Sequence, residues 1–151
     1  MSTPKHVVYK RRLLKLADFL EKLPKEKFDY GVWAEDQTHS GKCDSRMTAC
    51  GTAGCALGWA CTIPSFRRLG VRLDVSTTGN CAYPVTVNGR GKPDYGATEV
   101  AQLLFGLNPN EANYLFYEGT SSNYYLHSPK NVAKKIRKFA EKKNWKEDIH
   151  G

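Results

Sequence analysis

The chain of 151 residues is of single-domain length, and at 40% hydrophobic and 25% charged residues it carries enough apolar surface to offset the entropy of ordering, which excludes a disordered chain. Its 23 Lys and Arg against 15 Asp and Glu give a net charge of +8, which favours anionic partners: nucleic acid, nucleotides or acidic protein surfaces. Charged residues or glycine break every apolar run well short of the roughly 18 residues of a membrane span. Val7 and Val8 are the only apolar pair ahead of Lys10, Arg11 and Arg12, too little for a secretory signal, so a cytoplasmic protein with reduced thiols is expected.

Leu13, Leu16, Ala17, Leu20 and Leu23 recur at three-and-four spacing and predict a helix over 7–23, stopped by Pro24, with Lys10, Arg11, Lys15, Asp18 and Lys22 on the other face. Phe28 to Trp33 is aromatic, and the polar stretch 34–50 reads as a long loop. Thr52 suits the N-cap of a helix over 53–62, with Gly54 and Gly58 one turn apart, and Pro64 to Leu69 suits one further turn closed by Gly70. The alternation Val71-Arg-Leu-Asp-Val75 and the β-formers Tyr83 to Val87, followed by Asn88-Gly89, predict a small β element. Val100, Leu103, Leu104 and Leu107 mark a helix ending near Gly106. Asn108-Pro-Asn-Glu111 then supplies an N-cap, a first-turn proline and the acidic residue of a capping box for a helix carrying Ala112, Leu115 and Phe116. Ser128-Pro129 opens a last helix with Val132, Ala133, Ile136, Phe139 and Ala140 inward. The expected fold is a single α+β domain, mostly helical, with four to five helices around a small β-hairpin.

Five cysteines (Cys43, Cys50, Cys55, Cys61 and Cys81) have the wrong parity for a disulfide framework. His39, Cys43, Cys50 and Cys55 are ligand types that suit tetrahedral zinc, but each cysteine spacing exceeds the two-residue gap of a zinc knuckle. Small buried cysteines without metal are therefore the expectation, with zinc as the alternative. Cys55 falls in the first turn of the predicted helix, where the helix dipole and unpaired amides lower a thiol pKa. As a nucleophile it would need a base, and His39 and His127 are the candidates, neither at a recognisable motif distance.

The helix pair around Gly106 to Pro109 invites a helix-turn-helix reading. Its second helix presents apolar side chains and Glu111 where base edges and phosphates would require polar and basic ones, so an αα-corner in the core is expected instead. The last helix groups Lys134, Lys135, Arg137 and Lys138 opposite its apolar face, near Tyr124 and Tyr125. Cations beside aromatic platforms suit a nucleotide or a single strand, while lysines on a terminal helix also serve simply as a solvated face.

The run Cys50-Gly-Thr-Ala-Gly-Cys-Ala-Leu-Gly-Trp-Ala60, followed by Ile63-Pro64 and Phe66, resembles a C-G-T-x-x-C-x-x-G-W-A mark shared by small uncharacterised proteins of bacteriophages and bacterial genomes. The similarity extends over most of 13–141. It implies a phage or mobile-element source, hence a host-cell cytoplasm, and no mechanism. The sequence thus leads to the expectation of a non-enzymatic accessory protein without cofactor, binding nucleic acid, a nucleotide or a host protein, through Tyr124, Tyr125, Lys134, Lys135, Arg137 and Lys138 where the ligand is an anion. The alternative is a cysteine- or zinc-dependent enzyme centred on Cys50 and Cys55.

Overall fold

Prolines and glycines set most helix ends in the computed structural model, which describes residues 4–28, 34–36, 52–75, 81–86, 93–116 and 128–145. Helix α1 (Lys5–Glu21) starts directly after Pro4, whose carbonyl accepts from the amides of Val7 and Val8. It ends two residues earlier than the apolar spacing suggests, because the residue before a proline is pushed out of the helical region and Leu23 precedes Pro24. A single 3-10 turn, Lys25–Lys27, follows.

The described residues contain six α-helices and four short strands, and the architecture is α+β and mostly helical. The strands are β1 (Ala34–Asp36), β2 (Thr52–Ala53), β3 (Val71–Val75) and β4 (Cys81–Thr86), in the antiparallel order β2-β1-β4-β3. The expected hairpin is the β3–β4 pair, with Leu73 opposite Pro84. Val71 and Leu73 are buried while Arg72 and Asp74 point outward and pair at 3.0 Å, as the alternation requires. Asn88-Gly89 lies outside the described residues and not between the two strands. Pro84, which has no amide to donate, sits beyond the short pairing of β4 with β1 at Cys81 and Ala82.

Two expectations are corrected on the other side of the sheet. Ala34–Asp36 is a strand rather than loop, and Thr52–Ala53 pairs with it instead of opening a helix. Gly54 bridges to Phe28, its amide donating to the Lys27 carbonyl at 3.1 Å, so helix α2 begins only at Ala56 and spans Ala56–Ala60. Backbone pairing at the sheet edge outcompetes the capping propensity of Thr52. Cys55 is consequently the N-cap residue, with extended backbone, and Gly54 is not on the helix with Gly58. Helix α3 (Pro64–Arg67) is the expected extra turn, and Gly70 closes it at φ 102°.

Helix α4 (Pro93–Phe105) is longer than its apolar spacing marks, beginning well before Val100. It lies on β4 so closely that a Cβ on Gly96 would stand 2.3 Å from the Pro84 carbonyl oxygen. Gly106, at φ 63°, ends it against the Tyr9 ring. The Arg12 guanidinium reaches across from α1 to the carbonyls of Leu103 and Leu104 at 3.3 and 3.2 Å, neutralising the end of α4. Helix α5 (Pro109–Phe116) opens with a reciprocal capping box: the Glu111 amide donates to Asn108 Oδ1 at 2.8 Å, and the Asn108 amide to Glu111 Oε1 at 3.0 Å. Helix α6 (Pro129–Lys142) packs most extensively on α1.

The core is one continuous cluster, with Leu13, Leu16 and Leu20 of α1, Leu57 of α2, Phe66 of α3, Leu104 and Phe105 of α4, Leu115 and Phe116 of α5 and Val132 and Ile136 of α6 all buried. Phe105 stands edge-on to Phe66 and tilted against Phe116, about 6 Å away in each case. Burial of Ala112, Leu115 and Phe116 makes the α4–α5 pair a core corner, as expected. No helix among the described residues is long and apolar enough to cross a membrane.

Candidate functional site

Helix α6 turns two faces outward, and the four cations grouped on it in the sequence separate between them. Arg137 is directed at α1, where Nη2 lies 2.8 Å from both Asp18 Oδ1 and Glu21 Oε2. Those hydrogen bonds and charges hold the Glu21 carboxyl below the usual carboxylate range and raise the Arg137 guanidinium above its own. Arg137 therefore ties two helices together. Lys135 turns toward α5, donating to the Tyr114 carbonyl at 2.6 Å with its ammonium 4.2 Å from the centre of the Tyr114 ring.

Lys134 and Lys138 stand in solvent one turn apart, and Lys142 continues the same face. Among the described residues no acidic side chain forms an ion pair with any of these three. Between this face and α5 lies a cleft of about 540 Å³, lined by Glu111, Tyr114, Lys135, Lys138, Phe139 and Lys142. The Tyr114 and Phe139 rings meet at 6.1 Å, tilted by 36°, and Tyr114 remains 46% exposed. Cations and an exposed aromatic thus share one concave surface of the size that takes a small ligand.

The one carboxylate that the described residues place in this cleft is already paired. Glu111 Oε2 pairs with Lys143 Nζ at 2.5 Å, and the Lys143 side chain is only 2% exposed, while the other oxygen of Glu111 completes the capping box. Trp145 lies beside this pair, its ring centre 5.3 Å from the ammonium and its Nε1 donating to the Ala140 carbonyl at 2.8 Å. What remains for a ligand is the positive charge of Lys138 and Lys142, extended by Lys134.

Tyr124 and Tyr125, expected as the stacking platforms, lie outside the described residues. Tyr114 and Phe139 are the aromatic side chains that the described residues place beside the same lysines. The signal for Tyr114 was present: Ala112, Leu115 and Phe116 define the inward face of α5, which leaves an aromatic on its polar side. Phe139, on the inward face by its spacing, is only partly buried.

His39, Cys43, Cys50 and His127 also lie outside the described residues, so of the four alternative zinc ligands Cys55 alone is placed. It is 2% exposed, and Cys61 is fully buried nearby. Desolvation, then the neighbouring Cys55, pushes the Cys61 thiol far above its ordinary value. Position and burial both differ from the exposed first-turn thiolate that nucleophilic chemistry at Cys55 would require. Alkylation with iodoacetamide at pH 7, mapped by mass spectrometry, should leave Cys55 and Cys61 unmodified in the native protein and modify both in urea. Rapid native labelling of Cys55 would contradict this.

Compared with protein-family models, curated proteins and solved structures, the chain matches none. The functional reading therefore rests on the cleft itself.

Proposed function

We propose that the protein is a non-enzymatic accessory protein that binds a single-stranded nucleic acid or a nucleotide in the α5–α6 cleft. The observation that carries this reading is the convergence of Lys138 and Lys142 with the exposed Tyr114 on one concave surface where, among the described residues, the only carboxylate is paired with Lys143. Phosphates supply the anions for the lysines and a base supplies the face for the tyrosine, so one ligand class satisfies both. The similarity of the Cys50 to Ala60 motif to phage and bacterial proteins supports a source in a phage or mobile element, and hence a host-cell setting.

Fluorescence anisotropy of a labelled oligothymidylate at several salt concentrations tests the reading. Counterion release lowers log affinity by roughly 0.7 per log salt for each phosphate contacted on a single strand, so replacing Lys138 and Lys142 by Gln should reduce the slope by roughly 1.4. Tyr114→Ala should weaken binding by roughly 1–3 kcal/mol at constant slope, because stacking is lost and charge is not. Absence of binding to oligonucleotide and nucleotide alike at low salt, or binding indifferent to all three substitutions, would overturn the proposal.

A further inference from the structure

A second concave surface lies along α1. It is a groove of about 750 Å³ between that helix and residues 143–145, running from His6 to Asp18. Twelve rises of about 1.5 Å between these two residues give it a length of about 18 Å, a little over three helical turns. Its apolar lining is Val7 and Leu14, two turns apart on α1, together with Trp145. Val7 is 37% exposed, a large aliphatic side chain left in water at the start of the groove.

The edges are cationic. Lys10, Arg11 and Lys15 follow the floor along α1, and among the described residues no acidic side chain forms an ion pair with them. Lys15 donates to Ser65 Oγ at 2.7 Å and so keeps its full charge. Among the described residues the groove's one acidic side chain, Asp18, is held by Arg137, and Lys143 by Glu111.

We propose that this groove docks an acidic amphipathic helix of a partner protein. An apolar track with residues two turns apart receives side chains repeated at helical spacing, and the lysine and arginine edge complements carboxylates flanking such a face. The trough is open along its length, which suits a helix that keeps its polar side in water. An acyl chain would need walls all round. The indole of Trp145 is 6% exposed and offers no free face for a base, so a nucleotide suits this groove less well than the α5–α6 cleft. The groove shares no solvent-facing cation with that cleft, and the two proposals stand separately.

The test is fluorescence anisotropy of the full chain with a fluorescein-labelled peptide of about 16 residues, Leu on one helical face and Glu beside it, against a scrambled peptide of equal composition. The intact pattern should bind, and the scrambled one at least about tenfold more weakly, because only the first presents apolar side chains and charges together. Lys10→Glu with Arg11→Glu should weaken binding about tenfold or more, and Val7→Asp several-fold. Both variants change exposed or half-exposed positions, and their far-UV circular dichroism should match the parent. Lys138→Gln with Lys142→Gln should leave peptide affinity unchanged, which separates this result from the nucleic-acid reading. The proposal is overturned by equal binding of the scrambled peptide, by affinities indifferent to the α1 substitutions, by no binding at millimolar peptide, or by an oligonucleotide that displaces the peptide from the parent and the Lys138/Lys142 variant alike.

Discussion

Replacing Glu111 with alanine is expected to lower the unfolding free energy by about 1.5–3 kcal/mol, because it removes the carboxylate that pairs with the Lys143 ammonium. The same side chain caps α5 through its other oxygen, and loss of a cap costs about 1 kcal/mol of its own. Since domains of this size are stable by only about 5–15 kcal/mol, the variant should have a markedly lower urea midpoint at unchanged slope. Lys143→Met in the Glu111→Ala background should recover about 1 kcal/mol, since the thioether keeps the buried stem and removes the charge that Glu111 balanced. A shift below about 1 kcal/mol for Glu111→Ala would show that the pair is solvated, and the net charge of the α5–α6 cleft would then have to be reconsidered.

The second large effect is expected at Gly96. Glycine to alanine inside a helix ordinarily gains about 1 kcal/mol, because glycine loses the most backbone entropy on folding. Here the sign should reverse, to a net loss of about 2–3 kcal/mol, because the new methyl would meet the Pro84 carbonyl oxygen at 2.3 Å and must push α4 off β4. Backbone cannot turn aside as a flexible side chain can. Urea denaturation decides the sign, and a stabilised Gly96→Ala protein would mean that α4 sits further from the sheet.

The two positions differ in how far they could be read in advance. Asn108-Pro-Asn-Glu111 announced a capping box, and both of its hydrogen bonds are present. Lys143, thirty-two residues further along, carries no mark in the sequence of being the partner of Glu111. Gly96 stood out from nothing around it, since the approach of β4 is a contact between elements. The candidate site divides in the same way. Periodicity collected Lys134, Lys135, Arg137 and Lys138 on one side of α6. Sorting them into a tie to α1, a contact with Tyr114 and a solvent pair required the positions of α1 and α5.

Charge, the apolar stripes of α1 and α6, the turn at Gly70 and the corner at Gly106 to Pro109 were all legible along the chain, because each depends on residues within a few positions of one another. Where Thr52 and Cys55 lie, which aromatic stands beside the lysines and which cations keep their charge available were settled in three dimensions. Pairing of β1 with β2, the meeting of Tyr114 with Phe139 and the burial of Lys143 are long-range contacts. Their free energies exceed the few tenths of a kcal/mol by which local preferences differ, and no local pattern encodes them.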